Sequence, residues 1–106
     1  MANATRIADV ARGVFVGKYT GTTAAQNIHI GFKPSYIRAI NRTDADTVWE
    51  WFKDDIVNVT VTTTAVANGA IAITQVDNGT VIGFALPSDA VVNENTKVYV
   101  FYALPE

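Results

Sequence analysis

The chain contains no cysteine, which excludes a disulfide framework and a thiolate metal site. It has one histidine, His29, and zinc normally takes several His or Cys ligands. Charged residues make up only 17% and the net charge is −2. The concentrated basic face that non-specific nucleic-acid binding needs is therefore missing, and no nucleic-acid partner is expected. No segment approaches the roughly 20 apolar residues of a membrane helix, so no membrane partner is expected either. The start, Met1-Ala2-Asn3-Ala4-Thr5-Arg6, lacks a basic region followed by an apolar one and does not read as a secretory signal. Glycines are scattered at turns and strand ends rather than gathered in a phosphate-binding loop. Leucine occurs only at Leu86 and Leu104.

Val, Ile and Thr together supply about a third of the 106 residues. β-branched side chains lose χ1 freedom in helices and fit a pleated surface, so this is an all-β composition. The length suits one domain. Alternation marks strands over about 14–20, 26–32, 36–41, 47–53, 56–66, 70–76, 80–86 and 97–103. Pro34 ends the second, because proline cannot donate to a ladder. Thr43-Asp44-Ala45-Asp46, Asn68-Gly69 and Asp77-Asn78-Gly79 supply turns. The last strand is apolar on both faces, which predicts a central or sandwiched position. About eight strands with regular turn signals predict a single antiparallel β-sandwich over 14–106, jelly-roll or immunoglobulin-like. Residues 1–13, weakly periodic with Arg6 and Arg12 as their basic charges, read as an N-terminal arm.

The inventory argues against an enzyme. His29 sits between isoleucines in a strand, away from any evident nucleophile and orienting acid. The carboxylates Asp44, Asp46, Asp54, Asp55, Asp77 and Asp89 fall at predicted turns, where aspartate serves local hydrogen bonding. Asp44-Ala45-Asp46 offers too few ligands for a calcium loop. No catalytic residue, metal or cofactor is expected. Trp49 and Trp51, at i and i+2, project from one strand face, with Val48, Glu50 and Phe52 on the other. The pair suits either a partner or sugar contact, or simply the core. In the core case a buried Glu50 needs an arginine, with Arg38 and Arg42 as neighbours.

Gly31-Phe32-Lys33-Pro34-Ser35-Tyr36 through Thr47-Val48-Trp49-Glu50-Trp51-Phe52, with the Asn41-Arg42-Thr43-Asp44 turn between, resembles small structural proteins of tailed bacteriophages. Gly83-Phe84 through Asp89-Ala90-Val91-Val92-Asn93 and the terminal Val98-Tyr99-Val100-Phe101-Tyr102 extend the resemblance to about two thirds of the chain. The middle, about 54–80, is shorter and richer in threonine than the family's pattern. The resemblance implies a capsid decoration, or cement, protein on the virion surface, made in the bacterial host cytoplasm. Its partners would be the major capsid protein and further copies of itself, often as trimers at local three-fold positions. The competing expectation is a tail, baseplate or fibre-associated protein, with host-glycan binding as one version of it. The expected contacts are Arg6, Ile7, Val10 and Arg12 in the arm, with Trp49 and Trp51 on the domain.

Overall fold

A computed structural model of the protein describes residues 5–8, 13–45, 47–54, 59–61 and 71–106, with 5–8 and 59–61 described as backbone. Nine strands run through the described residues: β1 (Thr5–Ala8), β2 (Phe15–Thr20), β3 (Gln26–His29), β4 (Pro34–Asn41), β5 (Val48–Phe52), β6 (Val59–Val61), β7 (Thr74–Asp77), β8 (Ile82–Leu86) and β9 (Val98–Pro105). They build a six-stranded sheet in the order β1-β2-β9-β4-β5-β6 and a three-stranded sheet in the order β3-β8-β7. Every pairing is antiparallel. The two sheets face each other as a β-sandwich.

The alternation predicted from sequence sorts side chains between the inside and the outside of this sandwich. On β2, Phe15 and Tyr19 are buried with Gly17 between them, while Lys18 and Thr20 are exposed. Ile37 and Ala39 of β4, Trp49 and Trp51 of β5, and Tyr99, Phe101 and Ala103 of β9 all point inward. From the small sheet Ile28, Phe84 and Leu86 meet them. Aromatic rings join the layers: Phe84 lies edge-on to Trp49 at 6.4 Å and to Phe101 at 5.5 Å. Tyr19 stacks on Tyr99 at 4.8 Å, and Phe15 on Phe101 at 5.6 Å. Each such ring buries about 150–250 Å², which favours folding by about 4–6 kcal/mol before entropy is subtracted. β9 is central in the large sheet, flanked by β2 and β4, as its two apolar faces predicted.

The turns follow local chemistry. Between β7 and β8, Asn78 Oδ1 accepts the Thr80 and Val81 N–H groups at 3.0 and 2.7 Å, and Gly79 takes φ +86°. The strand expected over 26–32 stops at His29. There the Ile30 and Gly31 N–H groups both donate to the Ile82 carbonyl, and Gly31 turns the chain at φ +88°. Pro34 opens β4, a first-strand position where no donor is required. Of the strand expected over 56–66, Val59–Val61 is described; the Asn68-Gly69 turn lies outside the described residues. Thr5–Ala8, within the stretch set apart as an arm, pairs with β2 and edges the large sheet.

One buried polar side chain closes an end of the sandwich. Asn93 is 0% exposed. Its Oδ1 accepts from the Thr22 N–H at 2.9 Å and from Gln26 Nε2 at 2.7 Å, and its Nδ2 donates to the carbonyls of Ala24 and Pro87 at 2.8 and 3.1 Å. The amide thus has all four hydrogen-bonding sites filled. It ties the β2–β3 loop to the loop that precedes β9. The approach is close: a Cβ on Gly21 would sit 2.0 Å from the Glu94 carbonyl oxygen.

Candidate functional site: the open face of the large sheet

The small sheet covers one face of the six-stranded sheet. The other face carries the outward set of β2, β9, β4 and β5. The register places these residues in rows across the strands. Leu104, Tyr36 and Phe52 are level with one another. Val16, Tyr102, Arg38 and Glu50 form the next row, and Lys18, Val100, Ile40 and Val48 the third. The three large hydrophobic residues most exposed among those described, Phe52 (45%), Tyr102 (40%) and Leu104 (38%), all lie on this face. Isolated exposed apolar residues need no explanation, but a contiguous set is a candidate contact surface.

The centre of the face is ordered. Glu50 Oε2 accepts a hydrogen bond from the Tyr36 hydroxyl at 2.6 Å and one from Arg38 Nη1 at 3.0 Å. The Tyr36 ring lies 4.8 Å from Phe52 and 5.9 Å from Tyr102, tilted by about 50° to each. Partial burial pushes the Tyr36 hydroxyl well above its ordinary range, and donation to Glu50 adds to the shift. Arg38 is held more firmly protonated by Tyr36 and Glu50 beside it. Because the Arg38–Glu50 side chains remain 37% and 21% exposed, the pair adds at most about 1 kcal/mol to stability. Its effect is to hold three side chains in place. Tyrosine, phenylalanine and arginine, here pre-arranged on an open sheet face, are residue types enriched at protein contacts.

A second polar cluster lies at one rim. Glu106 Oε2 meets Lys53 Nζ at 2.8 Å and Gln75 Nε2 at 3.1 Å, and Lys33 Nζ lies 3.7 Å from Oε1. These contacts, led by that from Lys53, lower the Glu106 carboxyl to about 2. Gln75 also donates to the Pro34 carbonyl at 2.8 Å, which links the small sheet to the large one.

The residues singled out from sequence fall in three places. Trp49 and Trp51 are 0% and 4% exposed, so their rings belong to the core and neither is available to a partner. Arg6 and Ile7 lie on β1, Arg6 opposite Gly17 of β2. Val10 and Arg12 lie outside the described residues. Glu50 takes Arg38 as its partner, one of the two arginines expected beside it. His29 Nδ1 accepts the Ile82 N–H at 3.1 Å, a structural contact at the end of β3. Among the described residues no His, Cys, Asp and Glu cluster has metal-binding geometry, and no pocket opens. Tyr36, Arg38, Tyr102 and Leu104 were not singled out as contacts. Their signal was the apolar character of both faces of β9, together with the Tyr36–Arg38 alternation on β4. A scan of protein-family models, a search of curated proteins and a search of solved structures each found no match to this chain.

Proposed function

We propose that this chain is a non-enzymatic virion structural protein of a tailed bacteriophage, a capsid decoration protein that stabilises the head by bridging capsid subunits. One observation carries the reading. The segment that bears the resemblance, 31–52, supplies β4 and β5, whose inward side is the tryptophan core and whose outward side is half of the ordered contact face. An apolar face with a polar centre suits adhesion to another protein surface, and among the described residues no pocket opens for a small substrate. Many copies on one shell multiply a modest contact into tight occupancy. The major capsid protein is the partner on the shell side, with residues 1–13 and the rims of the sandwich as the docking elements.

Image reconstruction of the intact particle tests this. Density for the chain on the outer head surface, with a copy number on the order of hundreds, is expected of a component that relies on avidity. Density confined to the tail, in a few to tens of copies, would replace this reading with the tail or baseplate one. The glycan-binding version has no surface tryptophan to rest on, since both rings are buried.

A further inference from the structure

We infer that a second copy of this chain covers the open sheet face, related by a two-fold axis that lies in the contact plane, parallel to the strands and between β4 and β5. The inference rests on the reading of this face as a contact surface, and names its occupant.

Charge selects the axis. A two-fold between β4 and β5 sets each outward residue of β4 opposite the residue level with it on β5 of the other copy. The observed register then decides the pairs: Tyr36 with Phe52, Arg38 with Glu50, and Ile40 with Val48. Aromatic meets aromatic, cation meets anion and aliphatic meets aliphatic, in both directions at once, as an isologous interface requires. Moving the axis onto β4 sets Arg38 against Arg38, and moving it onto β5 sets Glu50 against Glu50, both repulsive. The Arg38–Glu50 row is the middle of the three.

Within each copy Glu50 already accepts from Tyr36 and Arg38. Covering the row therefore strands no unpaired charge, which is the main cost of burying one. An axis between β4 and β5 lays the outward sets of those two strands on each other, about 200 Å² in plan from strand and residue spacings, with β9 falling over β6 of the other copy, so the contact is well below the roughly 800 Å² per partner of a standard interface. The dimer is accordingly weak. Repetition on an assembled surface would strengthen it.

Sedimentation equilibrium from about 10 µM to 1 mM covers the range of a weak dimer and tests the inference. The wild-type chain should shift from monomer to dimer. Phe52→Ser, at an exposed position, should weaken association by about 10-fold or more with circular dichroism and melting temperature retained. Arg38→Glu and Glu50→Arg should each be monomeric, since one then presents only carboxylates and the other only guanidiniums at the centre. Mixed together they should form a one-to-one heterodimer. A wild-type chain that stays monomeric at the highest concentration, or forms a trimer, overturns the inference, as does a mixture of folded charge variants that fails to associate. Should either charge variant not fold, the wild-type and Phe52→Ser measurements decide. If the wild type is monomeric yet Phe52→Ser loses occupancy on purified shells, the face binds the shell and only the second-copy inference falls. If Phe52→Ser changes neither, the contact-surface reading falls with it.

Discussion

Trp49→Phe and Trp51→Phe remove the same atoms from the same strand face, two residues apart, yet the structure predicts different costs. Both indoles are buried. Trimming indole to phenyl removes about 40 Å³, and at about 24 cal/mol per Å³ of unfilled cavity either change costs about 1 kcal/mol. The N–H groups differ. Trp49 Nε1 donates to the Tyr19 hydroxyl at 3.1 Å, which itself donates to the Val92 carbonyl at 2.7 Å. Losing that bond adds about 1 kcal/mol. Trp51 Nε1 is buried without a hydrogen-bond partner among the described residues. Removing it relieves a desolvation penalty of about 1–3 kcal/mol, enough to offset the cavity. Trp49→Phe should therefore destabilise by about 2 kcal/mol, and Trp51→Phe should lie near zero or be slightly stabilising. In a domain of this size the gap corresponds to about 10 °C in melting temperature. Urea unfolding followed by circular dichroism reads it directly, with equal slopes required for the comparison. Equal costs, or a larger loss at Trp51, would refute the account of the polar atoms in this core.

Asn93→Ala removes four hydrogen bonds at a fully buried amide, and should cost about 3–4 kcal/mol in urea unfolding. Gly83→Ala would place a Cβ 2.0 Å from the Ile28 carbonyl oxygen; β3 must move off β8, and hydrogen exchange should show lost protection in the small sheet with a destabilisation of about 3 kcal/mol. The Glu106 carboxyl, lowered to about 2 chiefly by Lys53, is a depressed acid. Its contribution to stability is present above the ordinary carboxylate range and is lost as pH falls through about 2. An NMR titration should find the low midpoint, Lys53→Met should raise it, and the stability difference between wild type and Glu106→Gln should shrink in acid.

Several elements were legible because they depend on neighbours in sequence. Asn78-Gly79 encodes its own turn through the amide acceptor and the positive φ. The alternation over 14–20 set Phe15, Gly17 and Tyr19 on one face of β2 without saying which face is buried, and the doubly apolar β9 announced a central strand. The functional face was harder to see. Alternation states which residues share a face but not which face a second sheet will cover. On β5 it separated Trp49 and Trp51 from Glu50 and Phe52 correctly, while leaving open which set met water. Thr5–Ala8 carried little strand signal, because an edge strand needs only a backbone partner, here β2. Asn93 looked like an ordinary loop residue. Its partners Thr22, Ala24 and Gln26 lie about 70 positions away in sequence, beyond the reach of any local pattern.

The sequence by itself therefore determined the all-β class, most strand positions and the side-chain grouping along each strand, since backbone propensity and two-residue periodicity are local physics. Tertiary structure alone decided that the three-stranded sheet lies over the tryptophans. That choice turned the most conspicuous aromatic pair into core and left Tyr36, Phe52 and Tyr102 around Arg38 and Glu50 on the open side. The physical reason is that burial is a property of the packed pair of sheets: the larger apolar area goes inside, and what remains outside becomes the surface available to a partner.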